Sequence, residues 1–344
     1  MRADQIKDAR KGGKDSRQEN FFDAESFARR PASLGQGPPF GGGRTERNAM
    51  ADGSQNAEAL ERLMAMLRPR LHRYCARMVG SAFDGEDVVQ EALAKAAEAF
   101  PTAGPIERPE NWLFRIAHNA ALDALRRRKR QAAVRSDFGM ADVPDASAAA
   151  DARVTASASL AAFLPLPASQ RASVVLIDVL GHSVAETAGI LDVSLPAVKA
   201  ALHRGRARLR GLANAPEGPA PALDAAERDR LRAYADRFNA RDFDALRDLL
   251  AEDVRLDLAN RTRLAGRKDV SVYFSRYDAV SDWRLSVGLA EGRPALLVSD
   301  PADAAGAVGY VILLDWADGQ ITAIRDFRYA AYVTESLAIS HLWP

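Results

Sequence analysis

Two neighbouring stretches decide the fold: DGEDVVQEALAKAAEAF at Asp84–Phe100 and ENWLFRIAHNAALDALRRRKR at Glu110–Arg130. In the first, apolar residues recur at the i, i+3, i+4 spacing of an amphipathic helix. Its acidic start suits the positive end of a helix dipole. In the second, Asn111 is expected to cap another amphipathic helix, which ends in the basic run Arg126–Arg130. The pair predicts a helical domain with one acidic and one basic surface.

The composition favours a soluble protein with several folded domains. The chain has 344 residues, of which 47% are hydrophobic and 27% charged, and its formal net charge is +1. Because the net charge is close to zero, the protein as a whole does not attract nucleic acid electrostatically. Any basic binding site must therefore be a local cluster of charges. The single cysteine, Cys75, excludes an intramolecular disulfide, and its apolar surroundings predict a core position. With no membrane span or signal peptide in the sequence, we expect a cytoplasmic protein.

Changes of composition divide the chain into segments. The expected boundaries are a disordered tail at 1–49, a helical domain at 50–131, a flexible linker at 132–158, a second helical domain at 159–213, a Pro/Ala-rich linker at 214–223, an α+β domain at 224–332 and a C-terminal tail at 333–344. A further hypothesis is that translation begins at Met50, so that the first segment is not translated.

The second helical domain carries the pattern of a helix-turn-helix. One helix ends at Gly181, a short helix covers Ser183–Leu191, and Ser194 caps a longer helix after a three-residue turn. On that last helix, Lys199, His203 and Arg206 fall on one exposed stripe, with Arg204 beside it. A basic helix of this kind can enter the major groove of DNA.

Both helical domains resemble parts of one protein family. EDVVQEA followed by NWLFRIAHNAALDALRRR resembles region 2 of bacterial sigma factors of the extracytoplasmic-function type. LP…R, GHSVAETAGIL and VKAALHRGRARL, in that order, resemble region 4 of the same family. The resemblance implies a protein that is not an enzyme, that binds core RNA polymerase and promoter DNA, and that needs no cofactor or metal.

The resemblance also implies roles for individual residues. The acidic helix would bind the clamp helices of the polymerase largest subunit through Asp87, Gln90 and Glu91. The −10 promoter element would face Arg115, Asn119, Asp123, Arg126, Arg127 and Arg128. The loop Thr102–Glu110 would hold a base flipped from the melted strand. The −35 element would contact Lys199, His203, Arg204 and Arg206, mostly through phosphates.

Beyond Asp224 the pattern changes to helices followed by strands. A helix is expected over Ala225–Ala240 and another after Gly266, and the later strand-like runs predict a curved antiparallel sheet. The phrase FNARDFDALRDLLAEDV resembles the opening of the SnoaL-like, polyketide-cyclase-like family, which implies a cone-shaped α+β fold. The predicted fold class is therefore multidomain: two all-α domains followed by an α+β cone.

The role of the C-terminal domain stays open at this point. Tyr234, Phe238, Trp283, Trp316 and Asp326 could line a small-molecule pocket, or be ordinary core residues. One hypothesis is that the domain regulates the sigma factor by direct contact. Another is that it is an active enzyme, although the spacing of Asp315, Asp326 and His341 does not mark a catalytic set. A third hypothesis concerns the whole protein, which would be a plain helix-turn-helix regulator that does not join polymerase. This hypothesis leaves the acidic helix unexplained.

Overall fold

The computed structural model describes residues 45–137, 160–212 and 223–342. Most of the predicted tail at 1–49 and of the predicted linkers at 132–158 and 214–223 lies outside these ranges, and so does the question of translation from Met50. The described residues form three units in chain order. They are two helical domains and one domain of helices and strands.

The first unit is a bundle of three helices: α1 (Thr45–Val79), α2 (Ala82–Ala99) and α3 (Pro109–Asp137). Apolar side chains from all three form its core, which includes the buried thiol of Cys75, as expected. At Gly85, a β-carbon would lie 2.6 Å from the Cα of Ala76. The missing side chain therefore lets α2 cross closely over α1.

The cap predicted for the third helix was wrong. Asn111 lies inside the first turn of α3, because the helix already begins at Pro109. Proline suits this position, since its fixed φ is helical and the N–H that it lacks would have no partner in a first turn. The helix therefore starts at Pro109, three residues before the Trp112 that a cap at Asn111 predicts.

The second unit is the predicted helix-turn-helix. A 3₁₀ turn and α4 (Ala168–Val174) lead into a π-helical turn, followed by α5 (Val184–Leu191) and α6 (Leu195–Leu212). Gly181 ends the first helix with a positive φ of 77°. The hydroxyl of Ser194 accepts from the backbone N–H of Ala197 at 3.4 Å, which confirms the predicted cap. At Gly205, a β-carbon would lie 2.7 Å from Val174, so this glycine lets α6 pack against α4.

The third unit is an α+β cone. Its helices are α7 (Ala225–Asn239), α8 (Phe243–Asp248) and α9 (Arg267–Asp278). Its strands are β1 (Leu250–Leu258), β2 (Thr262–Ala265), β3 (Arg284–Ala290), β4 (Arg293–Ser299), β5 (Val308–Ala317), β6 (Gln320–Asp326) and β7 (Ile339–His341). One sheet holds them in the order β2-β1-β6-β5-β4-β3-β7.

Two features of this sheet differ from the sequence analysis. The sheet was predicted to be antiparallel, but β1 and β6 pair in parallel. The chain between them is long enough for the crossover that a parallel pair requires. In addition, residues 339–341 of the expected tail form β7, whose Ser340 lies opposite Leu289 of β3. The final strand lies outside the long alternating runs, so periodicity gave no sign of it.

Buried side chains join the three units. The cores of the two helical domains are continuous, with Phe163 and Val175 packed into the same cluster as Leu71 and Phe114. The core of the cone includes Phe83 of α2, together with Ala76 and Ala82. The domain boundaries predicted from the sequence therefore do not divide the apolar core, which continues from one unit into the next.

The buried histidine of α3 makes stability depend on pH. Burial lowers the pKa of His118 to about 4, and its Nδ1 lies 2.7 Å from the Tyr74 hydroxyl. In the unfolded chain the pKa of His118 is about 6.5. Between pH 6.5 and 4 the unfolded chain therefore binds a proton that the folded chain does not. The folded state is most stable above pH 6.5, and this stability is lost as pH falls towards 4. We expect a loss of about 2 kcal/mol in the free energy of unfolding at pH 5 from this residue.

Urea unfolding at pH 7.5 and pH 5 measures this loss. His118→Leu should show a smaller pH dependence than the wild type, and His203→Leu, which changes an exposed histidine, should not. Burial also lowers the pKa of His72 and His182, so part of the dependence remains in every variant. An unchanged dependence in His118→Leu would contradict the assignment.

Candidate functional site

The predicted polymerase-binding face of α2 is in contact with the C-terminal domain. The carboxylate of Asp87 accepts two hydrogen bonds from the guanidinium of Arg325 on β6, at 2.6 and 3.2 Å. The amide oxygen of Gln90 accepts from Arg263 on β2 at 2.9 Å. Burial raises the pKa of Asp87, and Arg325 opposes that rise. Two of the three residues predicted to bind polymerase are therefore held by the C-terminal domain.

The third predicted polymerase contact, Glu91, pairs with the basic helix instead. Its carboxylate accepts from Arg127 on α3 at 2.7 Å and lies 2.7 Å from the ammonium of Lys95. The hydrogen bond from Arg127 lowers the pKa of Glu91. These groups are largely exposed, so other partners can compete for them at little cost.

A buried polar network lies at the centre of the same seam. Glu86 is completely buried, and its carboxylate accepts from Arg68 of α1 and, at 2.9 Å, from the hydroxyl of Tyr332. That hydroxyl in turn accepts from the Nε of Arg68 at 2.6 Å. Sequence reasoning missed this network, because Glu86 belongs to an acidic run that resembles a solvated helix start.

Apolar packing and a helix cap complete the seam. The rings of Phe83 and Phe327 lie 5.1 Å apart. The carboxylate of Glu291, in the β3–β4 turn, accepts from the backbone N–H of Ala82 at 2.6 Å and from the Ser81 hydroxyl at 2.7 Å. Burial raises the pKa of Glu291. The C-terminal domain thus supplies the negative charge that the N-terminus of α2 favours.

The predicted −10 residues follow one side of α3. Asn119 is exposed and makes no hydrogen bond to the described part of the chain. Asp123 accepts from Arg126 at 3.0 Å, and Arg127 is held by Glu91 as described. Arg128 is exposed and donates weakly to the carbonyl of Val79 at 3.4 Å. Most of this basic surface is open to solvent.

Arg115 differs from the other predicted −10 residues, because its side chain binds the helix-turn-helix unit. Its guanidinium donates to the carbonyl of Gly189 at 2.6 Å and lies 3.8 Å from the carboxylate of Asp192. Nearby, the Arg171 side chain donates to the carbonyl of Met78 and, at 2.9 Å, to that of Leu166. The helix-turn-helix unit therefore contacts the helix that is predicted to read the −10 element.

The loop before α3 borders an apolar pocket of about 310 Å³. Leu60 and Leu63 of α1 form one wall, and Pro105 and Ile106 of the loop form another. This is the loop predicted to hold a flipped base. The apolar lining suits the face of an aromatic ring, which base stacking requires.

The predicted −35 residues lie on α6. Val198, Ala201 and Leu202 are buried, and the basic side chains lie on the outer side of the helix. Arg206 pairs with Asp178 at 2.5 Å. Within the described ranges, Lys199, His203 and Arg204 are exposed and have no ion pair. Three of the four predicted contacts are therefore available to DNA in this arrangement.

The proposed pocket residues of the cone are packed in its interior. Tyr234, Phe238, Trp283 and Asp326 are all buried there, whereas Trp316 is half-buried at the end of β5. The Phe238 and Trp283 ring centroids lie 5.0 Å apart, edge to face. Tyr234, Phe238 and Trp283 thus belong to the packed core of the cone.

Asp326 is satisfied by its neighbours. Its Oδ2 accepts from the hydroxyls of Tyr273 and Tyr277 at 2.9 and 2.7 Å, and its Oδ1 accepts from the N–H of Arg328 at 2.8 Å. Burial raises the pKa of Asp326, and the Tyr277 hydrogen bond opposes that rise. Asp315 and His341 are exposed on β5 and β7, two strands separated by β4 and β3. The three residues are not brought together.

None of the helices in the described ranges is long and apolar enough to cross a membrane. Within the same ranges, no three His, Cys, Asp or Glu side chains form a group that could hold a metal ion.

Three family models match the chain in order. Sigma-70 region 2 matches residues 63–131, and Sigma-70 region 4 matches residues 160–209. The SnoaL-like domain model matches residues 231–324. These are the three units of the fold.

Known proteins are similar over the same segments. The extracytoplasmic-function sigma factor SigM of Mycobacterium tuberculosis is 33% identical over 187 residues, which cover 53% of this chain and 93% of SigM. SigG from the same species is 30% identical over 258 residues, covering 66% and 70% of the two chains.

Among solved structures, M. tuberculosis SigJ is 19% identical with a TM-score of 0.30, covering 79% of this chain and 98% of that one. The sigma factor RpoE of Bartonella quintana, solved in complex with the anti-sigma factor NepR, is 23% identical with a TM-score of 0.36, covering 45% and 96%. The match to SigM over nearly its whole length excludes a plain helix-turn-helix regulator. The chain belongs to the extracytoplasmic-function family of RNA polymerase sigma factors and carries a SnoaL-like domain behind regions 2 and 4.

Proposed function

We propose that the SnoaL-like domain restrains this sigma factor by covering the face of α2 that binds core RNA polymerase. The carrying observation is the pair of contacts from Arg325 to Asp87 and from Arg263 to Gln90. The family resemblance assigns the same two side chains to the basic clamp helices of polymerase. The domain therefore offers α2 the same kind of partner as polymerase does, and the two compete.

The buried part of the seam contributes more to this restraint than the ion pair at its rim. Asp87 is half-exposed, and a pair of this kind contributes about 0.2–1 kcal/mol. Loss of the Tyr332 hydroxyl leaves two buried polar atoms, on Arg68 and Glu86, each short of one hydrogen bond. That loss costs about 1–3 kcal/mol. Tyr332 is therefore the residue on which docking depends most.

A second restraint is the contact between regions 2 and 4. The −10 and −35 elements lie about 25 base pairs apart, a distance of roughly 85 Å along B-form DNA. Here the two regions share one apolar core, and Arg115 is bound to Gly189. Initiation therefore requires that region 4 separate from α3, which also frees Arg115 for DNA.

In the open state, α3 and α6 would contact the promoter. The exposed arginines of α3 suit phosphates of the −10 element, and the pocket beside Ile106 suits a flipped base. On α6, Lys199, His203 and Arg204 would contact the −35 element. Core RNA polymerase and promoter DNA are the partners of this arrangement.

In this proposal, the C-terminal domain acts by contact with α2 and not by catalysis. An acid or base in a pocket needs a free oxygen that faces a substrate. Asp326 accepts three hydrogen bonds from its own domain and is completely buried. The expected result is no turnover of candidate cyclase or isomerase substrates by the full chain.

Tyr332→Phe tests the restraint. Because the change removes only one hydroxyl from the seam, we expect the affinity of the full chain for core polymerase to rise about fivefold or more. The measurement is a titration of labelled sigma chain with purified core enzyme. Arg325→Ala should raise the affinity less, in keeping with its exposed partner.

Tyr234→Phe is the matched control. It removes a buried hydroxyl of the same domain that has no hydrogen-bond partner among the described residues, and its ring packs on Phe238 of the same helix, α7. Its affinity for core polymerase should equal that of the wild type. If Tyr332→Phe behaves like Tyr234→Phe, the proposed restraint is wrong.

The role of α6 is tested in the Tyr332→Phe background, where restraint is weak. Lys199→Ala or Arg204→Ala should weaken binding of the holoenzyme to promoter fragments and lower the slope of log affinity against log salt by about 1. Arg230→Ala, an exposed arginine on α7, is the control. An equal slope in all three would show that α6 does not contact DNA phosphates.

A further inference from the structure

A cleft opens at the seam between region 2 and the C-terminal domain. Arg68 and Gln90 form its wall on region 2, and the β1–β2 hairpin, residues 257–263, forms the other. Its volume of about 490 Å³ lies within the range of small-molecule sites, roughly 300–1,000 Å³. Such sites occur preferentially where two domains meet. The cleft exists only while the two domains are docked.

The cleft has more positive than negative charge. Arg261 and Arg263 project from the hairpin, and the only carboxylate among the lining residues is Asp257. That carboxylate is shared, since it lies 3.3 Å from Arg263 and 3.8 Å from Arg325. Arg325 has its closer partner in Asp87, at 2.6 Å, so Asp257 mainly balances Arg263. Among the described residues, Arg261 has no carboxylate partner.

Arg261 is held in place by an aromatic ring and has no carboxylate partner. Its guanidinium carbon lies 4.8 Å from the ring centroid of Tyr329. Across the described residues, no carboxylate oxygen lies within 4.0 Å of its nitrogen atoms. Stacking on a ring orients a guanidinium and leaves its N–H groups free to bind an anion through two parallel hydrogen bonds.

Further donors surround the same space. Arg263 is 66% exposed and commits one of its nitrogens to Gln90 and Asp257. Thr262 adds a hydroxyl, and the Gln90 amide adds N–H groups that make only a long contact of 3.5 Å to Glu86. Guanidinium, amide and hydroxyl donors on several sides suit a tetrahedral anion with three or more acceptor oxygens.

We propose that this cleft binds a small phosphorylated molecule, with its phosphate held by Arg261 and Arg263 and its remainder against Gln90 and Asn260. Because the walls come from both domains, such a ligand binds the docked state and stabilises it by mass action. The ligand would thus strengthen the restraint on polymerase binding. This regulatory consequence rests on the proposed function, whereas the binding itself does not.

Calorimetry with pyrophosphate on the full chain tests the site. We expect saturable binding to the wild type that weakens roughly tenfold or more in Arg261→Ala, since a hydrogen-bonded charge is lost. Among the described residues, Arg261 has no hydrogen bond or ion pair with region 2, so this change removes none of the polar contacts that hold the two domains together. Arg230→Ala, on α7 and outside the cleft, should bind as the wild type does.

Several results would overturn the site. They are an absence of pyrophosphate binding, equal binding in Arg261→Ala, or citrate binding more tightly than pyrophosphate, which would indicate a carboxylate site. A single-stranded oligonucleotide that binds through Arg261 while pyrophosphate does not would indicate nucleic acid instead of a small molecule.

The regulatory consequence has its own readout. Saturating pyrophosphate should lower the affinity of the wild-type chain for core polymerase and leave that of Arg261→Ala unchanged. If pyrophosphate binds without this effect while Tyr332→Phe raises the affinity, the coupling is wrong and the restraint stands. If Tyr332→Phe has no effect either, the restraint is wrong and the site stands.

Discussion

The structure depends on a carboxylate that has no access to water. Glu86 lies on a helix whose other acidic residues face outward, and an unpaired charge at its position would be very costly. Arg68 supplies the counter-charge from region 2 itself, and Tyr332 supplies the remaining hydrogen bond from a different domain. The network therefore ties the stability of the sigma core to the presence of the C-terminal domain.

In the proposed function, helix α2 has two uses for one surface. Its apolar side packs on α1 and α3, which leaves the polar side for either polymerase or the cone. The cone occupies it with a rim of exposed ion pairs around a buried centre. Exposed ion pairs exchange partners readily. The buried network around Glu86 is harder to break, so it determines how often the cone separates from α2. A weak rim and a strong centre suit a contact that must be stable and yet reversible.

The sequence predicted the elements well and the contacts between them poorly. Helical spacing, Gly181 and Ser194 predicted the helix-turn-helix, because capping and periodicity are local properties. The motif resemblance predicted which residues of α2 and α6 to inspect. The seam was not predictable, since Glu86 and Tyr332 are 246 positions apart and neither stands out locally. The parallel pairing of β1 and β6 was missed for the same reason.

The position of Tyr332 has a consequence for the order of synthesis. Region 2 and region 4 are complete once residue 212 has emerged from the ribosome, whereas the seam needs Tyr332 and the sheet needs β7 at 339–341. About 120 residues separate these points, and at roughly 5–20 residues per second their synthesis takes on the order of ten seconds. During that interval the nascent chain carries an uncovered α2. Under the proposed restraint, each new molecule therefore passes through an unrestrained state before the cone covers α2.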